Sequence, residues 1–467
     1  MGKRNRTSQE DLKAVKSFEE SLQKGEPLFL DVSIYEIIVH FYLEHAKINK
    51  ALKAATIGFE QHPFSSEMMV LKATALLSKG YYDKAEELID KVELYQPNDL
   101  ETILLRVQYL SLQEQYEEAQ QYISEKLLLA DSEDQADLFV ALAGILQDWG
   151  KFDDAISYYQ QALAIDPSIE EAIYDLSYCL EILDRQEESI ELFKTIIDKD
   201  PYSCDAWFCL GMAYLKMEDN NNARDAYEFA IAINDNFAPA HFNLGELCVF
   251  EENYEQALDH FNKTLSLEGP GPDIYYSIAF CMERLAKYGK AIEFYRKASK
   301  INVFYDEAYY GIGRCLEAQD KPYEAIHFYG KAIKLDHYNP SYWLAKADAE
   351  YRTGNVTSSI EAYQEACVLD PTNPEIWKNW SFVHYEMGNF AEAYDLVMAG
   401  IEELPEEAEL YYRAVVYLIS AGKYKEAFTY LENALILDFE MHHILFEFFP
   451  RLETQKGLYK IIDQYRK

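Results

Sequence analysis

The chain of 467 residues is 49% apolar, enough for a packed core, and its 19 glycines and 14 prolines are too few for a loop-rich or disordered protein. Its 81 acidic and 43 basic residues give a net charge of −38, which repels phosphate backbones and anionic lipid headgroups. Composition and charge therefore favour a folded acidic protein and argue against nucleic acid and membrane surfaces as partners.

The first element in chain order is a polar segment, residues 1–31, in which we predict a short helix that caps the rest of the fold. The stretch Met1–Lys24 has no apolar core for a signal peptide. No run in the chain approaches the ~20 apolar residues of a membrane span. Arg6 stands where a myristoylation signal needs Ser or Thr. We therefore expect a cytoplasmic protein without a lipid anchor.

From residue 32 to residue 441 the chain repeats one pattern with a period of 34 residues. The repeats begin at residues 32, 66, 100, 136, 170, 204, 238, 272, 306, 340, 374 and 408, and only the third is longer, with 36 residues. Position 20 of each repeat is always Ala or Ser, and position 8 is Gly, Ala, Ser or Val. Small side chains at both positions let two helix backbones approach closely.

Each of these twelve repeats is predicted to contain two amphipathic helices. Positions 4, 8 and 11 share one helical face, as do positions 20, 24 and 27, because steps of three and four residues return to the same side of a helix. Glycine at position 15 marks the break between the helices, at Gly80, Gly150, Gly354, Gly388 and Gly422. Proline at position 32 marks the end of the second helix, at Pro63, Pro97, Pro167, Pro201, Pro371 and Pro405.

The pattern resembles the tetratricopeptide-repeat (TPR) family, whose signature places Trp, Leu-Gly, Tyr, Ala, Phe and Pro at these spacings. The stretch that carries it best is Trp207, Leu210, Gly211, Tyr214, Ala223, Tyr227 and Ala230. The resemblance covers residues 32–441. It implies an all-α, right-handed superhelical solenoid of about twelve helix-turn-helix units, with capping helices at its ends and the first helix of each unit on the concave side.

Three places depart from a regular array. The third repeat has Lys126 at position 27 and two extra residues near Asp131 to Glu133, where we expect stacking to shift. The run Gly269-Pro270-Gly271-Pro272 joins two repeats and suggests a bend or hinge. Residues 442–467 predict a final helix after Pro450, which would cap the last repeat because a solenoid needs polar terminal elements.

Aromatic side chains mark a candidate partner-binding surface. In TPR proteins the concave side is built mainly from positions 2, 5, 9, 12 and 13, so the resemblance directs attention to those positions. Aromatic rings there suit an extended or partly helical peptide, although the same rings could instead pack between neighbouring first helices. The candidate partner-binding residues are Tyr174, Tyr178, Phe208, Met212, Phe242, Tyr276, Phe280, Tyr310 and Arg314.

Two ligand sites known in TPR proteins lack their residues in this chain. The carboxylate clamp needs Lys at position 5 and Asn at position 9, but Lys378 is followed by Phe382. The asparagine ladder at position 6 needs repeated Asn, but only Asn243 and Asn379 occur there. The sequence therefore predicts neither of these two recognition modes.

Catalytic and metal-binding motifs are also missing from the sequence. There is no Walker loop, H-E-x-x-H pair or G-x-S-x-G elbow, and the seven cysteines form no C-x-x-C pair. The adjacent His442 and His443 cannot point to one side of a helix as ligands. Residues 1–31 and 442–467 are too short for a catalytic domain, so we expect no enzyme activity, no cofactor and no metal.

The function that these observations favour is a non-catalytic scaffold or adaptor that binds peptide segments of partner proteins in a concave groove. Two alternatives remain at this point. One is a self-assembling structural subunit, which would make the chain a homo-oligomer. The other is an accessory subunit of a separately encoded enzyme. The sequence names no partner, and the fold by itself does not name one either.

Overall fold

The computed structural model describes residues 9–24, 28–449 and 456–465. Within that part of the chain every regular element is helical, which confirms the predicted all-α fold. A 3₁₀ helix covers Glu440–His443. The α-helices are α1 Gln9–Lys24, α2 Val32–Glu44, α3 Ile48–Gln61, α4 Ser66–Lys79, α5 Tyr82–Tyr95, α6 Leu100–Leu112, α7 Tyr116–Leu127, α8 Ser132–Asp148, α9 Phe152–Ile165, α10 Glu170–Ile182, α11 Gln186–Lys199, α12 Cys204–Lys216, α13 Asn220–Ile233, α14 Ala238–Phe250, α15 Tyr254–Glu268, α16 Pro272–Arg284, α17 Tyr288–Ile301, α18 Asp306–Ala318, α19 Pro322–Leu335, α20 Pro340–Arg352, α21 Val356–Leu369, α22 Pro374–Glu386, α23 Phe390–Glu403, α24 Ala408–Ser420, α25 Tyr424–Leu437, α26 Ile444–Phe448 and α27 Lys456–Tyr465.

The helices divide into two units, an N-terminal half up to Ala240 and a C-terminal half from His241 onward. Within each half, consecutive helices pack against each other, as α2 does with α3 and α18 with α19. First helices also contact the first helix of the next repeat, as α2 does with α4 and α22 with α24. The number of TPR units and the handedness of the superhelix stay predictions.

The turn between the two helices of a repeat always places position 15 in the left-handed region of backbone space. The five glycines predicted there have φ between 77° and 83°. Residues with a side chain adopt the same region at the other repeats, with φ between 54° and 60°: Ala46, Glu114, Asp184, Glu218, Glu252, Ala286 and Asp320. A residue other than glycine costs about 1–2 kcal/mol in this conformation, so the helix pairs must enforce it.

The core explains why position 8 is small. Gly211 lies against the ring of Tyr227, and a Cβ added to it would come within 2.5 Å of that ring. Tyr227 is the position-24 residue of the same repeat. Position 24 is at most 1% exposed throughout: Ala55, Ile89, Ile123, Tyr159, Phe193, Tyr227, Phe261, Tyr295, Tyr329, Tyr363, Val397 and Leu431. Where position 24 is aromatic, position 8 is Gly, Ala or Ser, so a large ring on one helix fills the space that a small residue leaves on the other.

Helix α8 begins four residues before residue 136, at which we placed the start of its repeat. The Asp131 side chain accepts a hydrogen bond from the backbone N–H of Asp134 (3.1 Å), which caps the helix at this earlier point. The preceding helix α7 is correspondingly short, with 12 residues. The two extra residues of the third repeat are thus absorbed into a longer first helix.

Helices outside the repeats pack on the terminal ones. In the N-terminal half α1 contacts α2 and buries Val15 and Phe18, and the Phe18 ring lies 6.1 Å from that of Tyr35. In the C-terminal half α26 contacts α24, and α27 contacts α25. Pro450, after which we predicted the last helix, lies outside the described residues. The hinge predicted at residues 269–272 stays a prediction: Gly269, with φ of 83°, ends α15, and Pro272 is the first residue of α16.

Candidate functional site

In the N-terminal half, α10 and α12 carry four of the candidate residues, and the structure gives them different surroundings. Tyr178 is 48% exposed, whereas Tyr174 and Met212 are half-buried. Phe208 is only 7% exposed, because its ring packs between Tyr227 (5.7 Å between ring centres) and Phe237 (5.4 Å). Phe208 therefore belongs to the packed interior and offers little surface to a partner.

In the C-terminal half, α14, α16 and α18 carry the other five candidates, Phe242, Tyr276, Phe280, Tyr310 and Arg314. All five are half-buried. We call the surface formed by positions 5, 9 and 12 of these three helices the first-helix face.

Each position-5 ring of the first-helix face rests on the position-24 ring of its own repeat. The ring centres lie 5.5 Å apart for Phe242 and Phe261, 5.5 Å for Tyr276 and Tyr295, and 5.7 Å for Tyr310 and Tyr329. Rings at these separations and tilted angles attract each other and hold a fixed orientation. One side of each position-5 ring is therefore fixed by packing while part of the ring stays accessible.

Further rings cover the position-5 rings to different degrees. Tyr276 packs on Tyr305, its position-34 residue (5.3 Å between ring centres), and Tyr310 packs on Tyr342 (4.8 Å), yet both stay half-buried. Phe208 is covered by Phe237, the position-34 residue of its repeat. Phe242 has Gly271 at that position, which has no side chain to cover it.

Arg314 forms an ion pair within the first-helix face. Its guanidinium lies 3.0 Å from Glu283 Oε2 and 4.9 Å from the ring centre of Tyr310. The Tyr295 hydroxyl donates a second hydrogen bond to Glu283 Oε2 (2.7 Å), and Glu283 is only 12% exposed. Burial alone would lower the pKa of Arg314, but Glu283 together with Tyr295, Tyr310 and Tyr276 outweighs burial and raises it. Arg314 is therefore a fixed positive charge beside aromatic rings.

Glu283 is not among the candidate residues predicted from the sequence. The signal was the combination of Glu at position 12 with Tyr at position 24. It recurs in the next repeat, where the Tyr329 hydroxyl donates to Glu317 Oε2 (2.6 Å).

Two further carboxylates lie at position 9. Glu246 accepts a hydrogen bond from Ser277 Oγ (3.0 Å), and its side chain is exposed. Even so, the surrounding protein displaces enough water to raise the pKa of Glu246. Burial raises the pKa of Asp348 on α20 to about 6, although the Tyr363 hydroxyl and the Asn379 amide donate to its carboxylate. The surface around the aromatic rings is therefore acidic.

The last first helices, α22 and α24, are covered by the chain itself. The Phe448 ring of α26 lies 6.1 Å from Phe382 and 5.4 Å from Tyr385, at positions 9 and 12 of α22. Lys378, at position 5, donates to Glu375 and to Glu409 Oε2 (3.0 Å) and is 8% exposed. Leu344 and Asp348 of α20 are half-buried like the candidate residues from Phe242 to Arg314, so the covering by Phe448 concerns α22.

The described residues contain little that resembles a catalytic or metal centre. No three His, Cys, Asp or Glu side chains among them are grouped as metal ligands. None of the seven cysteines, all of which lie in the described part of the chain, forms a disulfide, and burial raises the pKa of the Cys281 and Cys315 thiols to about 12, which keeps both unreactive. Among residues 9–24, 28–449 and 456–465, no helix is both long enough and apolar enough to cross a membrane.

Family models described as "Tetratricopeptide repeat" match residues 104–168, 140–203, 192–225, 210–273, 272–302 and 306–338, and one described as "TPR repeat" matches residues 347–388. Together these matches cover more than half of the chain. The chain belongs to the tetratricopeptide-repeat family. TPR proteins are in general non-catalytic scaffolds, and the repeats support for this chain the general role of a protein–protein interaction scaffold.

Curated relatives match short segments of this TPR protein. The general transcriptional corepressor trfA of Dictyostelium discoideum is 27% identical over 94 residues, 20% of this chain and 7% of the relative. The general transcriptional corepressor ssn6 of Schizosaccharomyces pombe is 33% identical over 79 residues, 17% of this chain and 7% of the relative. The human protein O-mannosyl-transferase TMTC1 is 23% identical over 99 residues, 21% of this chain and 11% of the relative. The matches thus span 7–11% of the relatives' length, so the activities in these names are not carried over.

Two solved structures are similar at the level of the chain trace. The Cut9–Hcn1 hetero-tetramer of the APC/C matches with a TM-score of 0.42 and 14% identity, over 90% of this chain and 94% of the other. YrrB, described as a TPR protein with an unusual peptide-binding site, matches with a TM-score of 0.36 and 18% identity, over 40% of this chain and 96% of the other.

Proposed function

We propose that this TPR protein is a cytoplasmic, non-catalytic scaffold that binds extended segments of partner proteins in a concave groove lined by its first helices. The observation that carries the proposal is the row of half-buried rings at Phe242, Tyr276, Phe280 and Tyr310 on three consecutive first helices. Each position-5 ring is supported from below by a position-24 ring. The position-5 rings therefore already have a fixed orientation in the unbound protein.

Rings that are already fixed bind at low entropic cost. Covering a further ~50–80 Å² of one ring contributes about 1–2 kcal/mol at ~25 cal/mol per Å². Micromolar affinity requires about 8 kcal/mol net of association costs. Several rings and main-chain hydrogen bonds must therefore act together, which favours an extended partner segment that crosses more than one repeat.

The proposed contact surface differs from the full set of candidates drawn from the sequence. It keeps Phe242, Tyr276, Phe280, Tyr310 and Arg314 in the C-terminal half. In the N-terminal half it keeps Tyr174, Tyr178 and Met212 and leaves out Phe208, because that ring is covered by its neighbours.

Capture from cell lysate with mass spectrometry tests the proposal. The variant is Phe242→Ala with Phe280→Ala, two half-buried rings of the first-helix face. The matched control is Phe304→Ala with Tyr338→Ala, two rings that are 76% and 71% exposed in the turns between repeats. Both proteins are first compared with wild type by thermal unfolding.

We expect partners that are retained by wild type and by the control but lost by the first-helix variant. If only the turn variant, Phe304→Ala with Tyr338→Ala, loses these partners, the binding surface lies on the turns and not on the first-helix face. A chain that light scattering shows to be a stable homo-oligomer, and that retains no other protein, would instead establish a self-assembling subunit.

A further inference from the structure

The first-helix face contains one cation of the chain itself, the guanidinium of Arg314. Its neighbours show which groups bind a cation on this face. The Arg314 guanidinium lies between the face of the Tyr310 ring, at 4.9 Å, and the Glu283 carboxylate, at 3.0 Å. Both neighbours attract positive charge, the ring through its quadrupole and the carboxylate through a charge-assisted hydrogen bond. The face thus contains an internal example of cation binding by one ring and one carboxylate.

A carboxylate and aromatic rings also occur nearer the N-terminal end of the first-helix face, around Glu246. This carboxylate lies at position 9 of α14, and Phe242 lies one helical turn before it at position 5. Ser277 Oγ donates to Glu246 Oε1 (3.0 Å), which holds the carboxylate against α16, the helix that also carries Tyr276 and Phe280. Because the Glu246 side chain is exposed, a group from outside the chain can reach it.

Negative charge exceeds positive charge around these rings. Burial raises the pKa of the Tyr276 hydroxyl, and the carboxylates of Glu307, Glu283 and Glu246 raise it further, while Arg314 lowers it. The whole chain carries a net charge of −38, which draws basic partners towards it and slows the approach of acidic ones.

We propose that Glu246, with the rings of Phe242, Tyr276 and Phe280, binds a lysine or arginine side chain of an extended partner segment. This inference rests on the proposed function, since it names the chemistry of the segment that the first-helix face takes. The cation of the partner pairs with Glu246 as Arg314 pairs with Glu283, and its aliphatic stem lies along the rings. The partner is therefore a basic segment with apolar residues between its charges.

Glu246→Gln is the decisive variant. Glutamine keeps the size of the side chain and an oxygen that accepts the Ser277 hydrogen bond, but it removes the charge. The matched control is Glu293→Gln on α17, an exposed glutamate on a second helix that loses the same charge from the same protein. Any effect of net charge alone is equal in the two variants.

The probes are labelled peptides of about ten residues, long enough to cross more than one repeat in extended form. One alternates lysine with leucine, and the other has glutamine in place of each lysine. Fluorescence anisotropy measures the binding of each peptide to the full chain. We expect wild type to bind the lysine peptide more tightly than the glutamine peptide. We expect Glu246→Gln to weaken binding of the lysine peptide by about fivefold to tenfold, while Glu293→Gln changes it by less than about twofold.

Three results would overturn the inference. Equal binding of the two peptides, lost in Phe280→Ala, would show a groove that selects apolar residues and would leave the proposed function intact. Equal weakening by Glu246→Gln and Glu293→Gln would show attraction by net charge alone. If wild type binds neither peptide, the basic segment is rejected, and the capture experiment with Phe242→Ala and Phe280→Ala decides the proposed function separately.

Discussion

The early repeats of the N-terminal half and the repeats at 272–339 in the C-terminal half have the same helix pairs but different interiors. In residues 32–131 position 24 is Ala55, Ile89 and Ile123, and position 5 carries no ring. In residues 272–339 position 24 is Tyr295 and Tyr329, and position 5 is Tyr276 and Tyr310. The large interior rings in the later repeats touch the position-5 rings and bond to glutamates at position 12. The interior thus determines which repeats can present an ordered aromatic surface.

The largest change in unfolding free energy is expected at Gly313, where the interior of the later repeats is most crowded. Gly313→Val places a branched side chain where even a Cβ overlaps the Tyr329 ring, so we expect a loss of about 3 kcal/mol in unfolding free energy by chemical denaturation. Adding Tyr329→Leu creates the pair found in the last repeat, Val415 with Leu431, and should recover part of the loss. The control Gly330→Ala, whose Cβ meets no atom within 4 Å, should stabilise the protein by about 0.5–1 kcal/mol. Equal losses in Gly313→Val and Gly330→Ala would contradict the packing account.

Asp348, in the repeat that follows residue 339, makes the stability of the protein depend on pH. Its pKa in the folded protein is about 6, above the value near 4 of an unfolded chain, so the folded state binds more protons between these values. Unfolding free energy should therefore fall as pH rises from about 4 through about 6. We expect Asp348→Asn to be more stable than wild type at pH 7.5, by about 2 kcal/mol, and the difference to shrink as the pH falls through 6 and to approach zero only below about pH 4. The control is Glu361→Gln, an exposed glutamate on α21, and a pH-independent difference for Asp348→Asn would refute the assignment.

A smaller change in unfolding free energy is expected when the hydroxyl of Tyr295 is removed. Tyr295→Phe keeps the ring under Tyr276 and removes the hydrogen bond to Glu283, which should cost about 1.5 kcal/mol because the acceptor is charged and mostly buried. Tyr338→Phe, in an exposed turn, should change the unfolding free energy by less than about 0.5 kcal/mol. If both substitutions are neutral, the tyrosine–glutamate pair does not stabilise the later repeats.

The smallest change in stability is expected at position 15, in the turn between the two helices of a repeat, which both regions share. Ala286→Gly removes the strain of a left-handed residue with φ of 56° and should stabilise the protein by about 0.5–1 kcal/mol, since part of the gain is lost to chain entropy. The reverse change, Gly354→Ala, should destabilise it by a similar amount. Thermal unfolding of the pair measures both, and shifts of the same sign would be inconsistent with the backbone conformation described.

Helix periodicity and the small residues at positions 8 and 20 were enough to predict the helix pairs, because the two helix backbones of every repeat pack closely in the same way. Glycine marked only five of the left-handed turns, and Glu252 or Ala286 gave no local signal because the surrounding helices impose the conformation on them. The candidate site was less predictable. Phe208 is buried beside Phe237, whereas Tyr276 stays half-buried beside Tyr305 at the same position of its repeat, so the repeat pattern does not tell which position-5 ring is exposed. The ion pair of Arg314 depends on Glu283 in the preceding repeat, which no single repeat reveals.

Hydroxyl-radical footprinting of the full chain, alone and with a partner captured from lysate, tests the central claim most directly. We predict that Phe242, Tyr276 and Phe280 become protected in the complex, while Phe304 and Tyr338 in the turns stay as reactive as in the free protein. Protection of the turn residues with unchanged reactivity on the first-helix face would contradict the account and would place the binding surface on the edge formed by the turns.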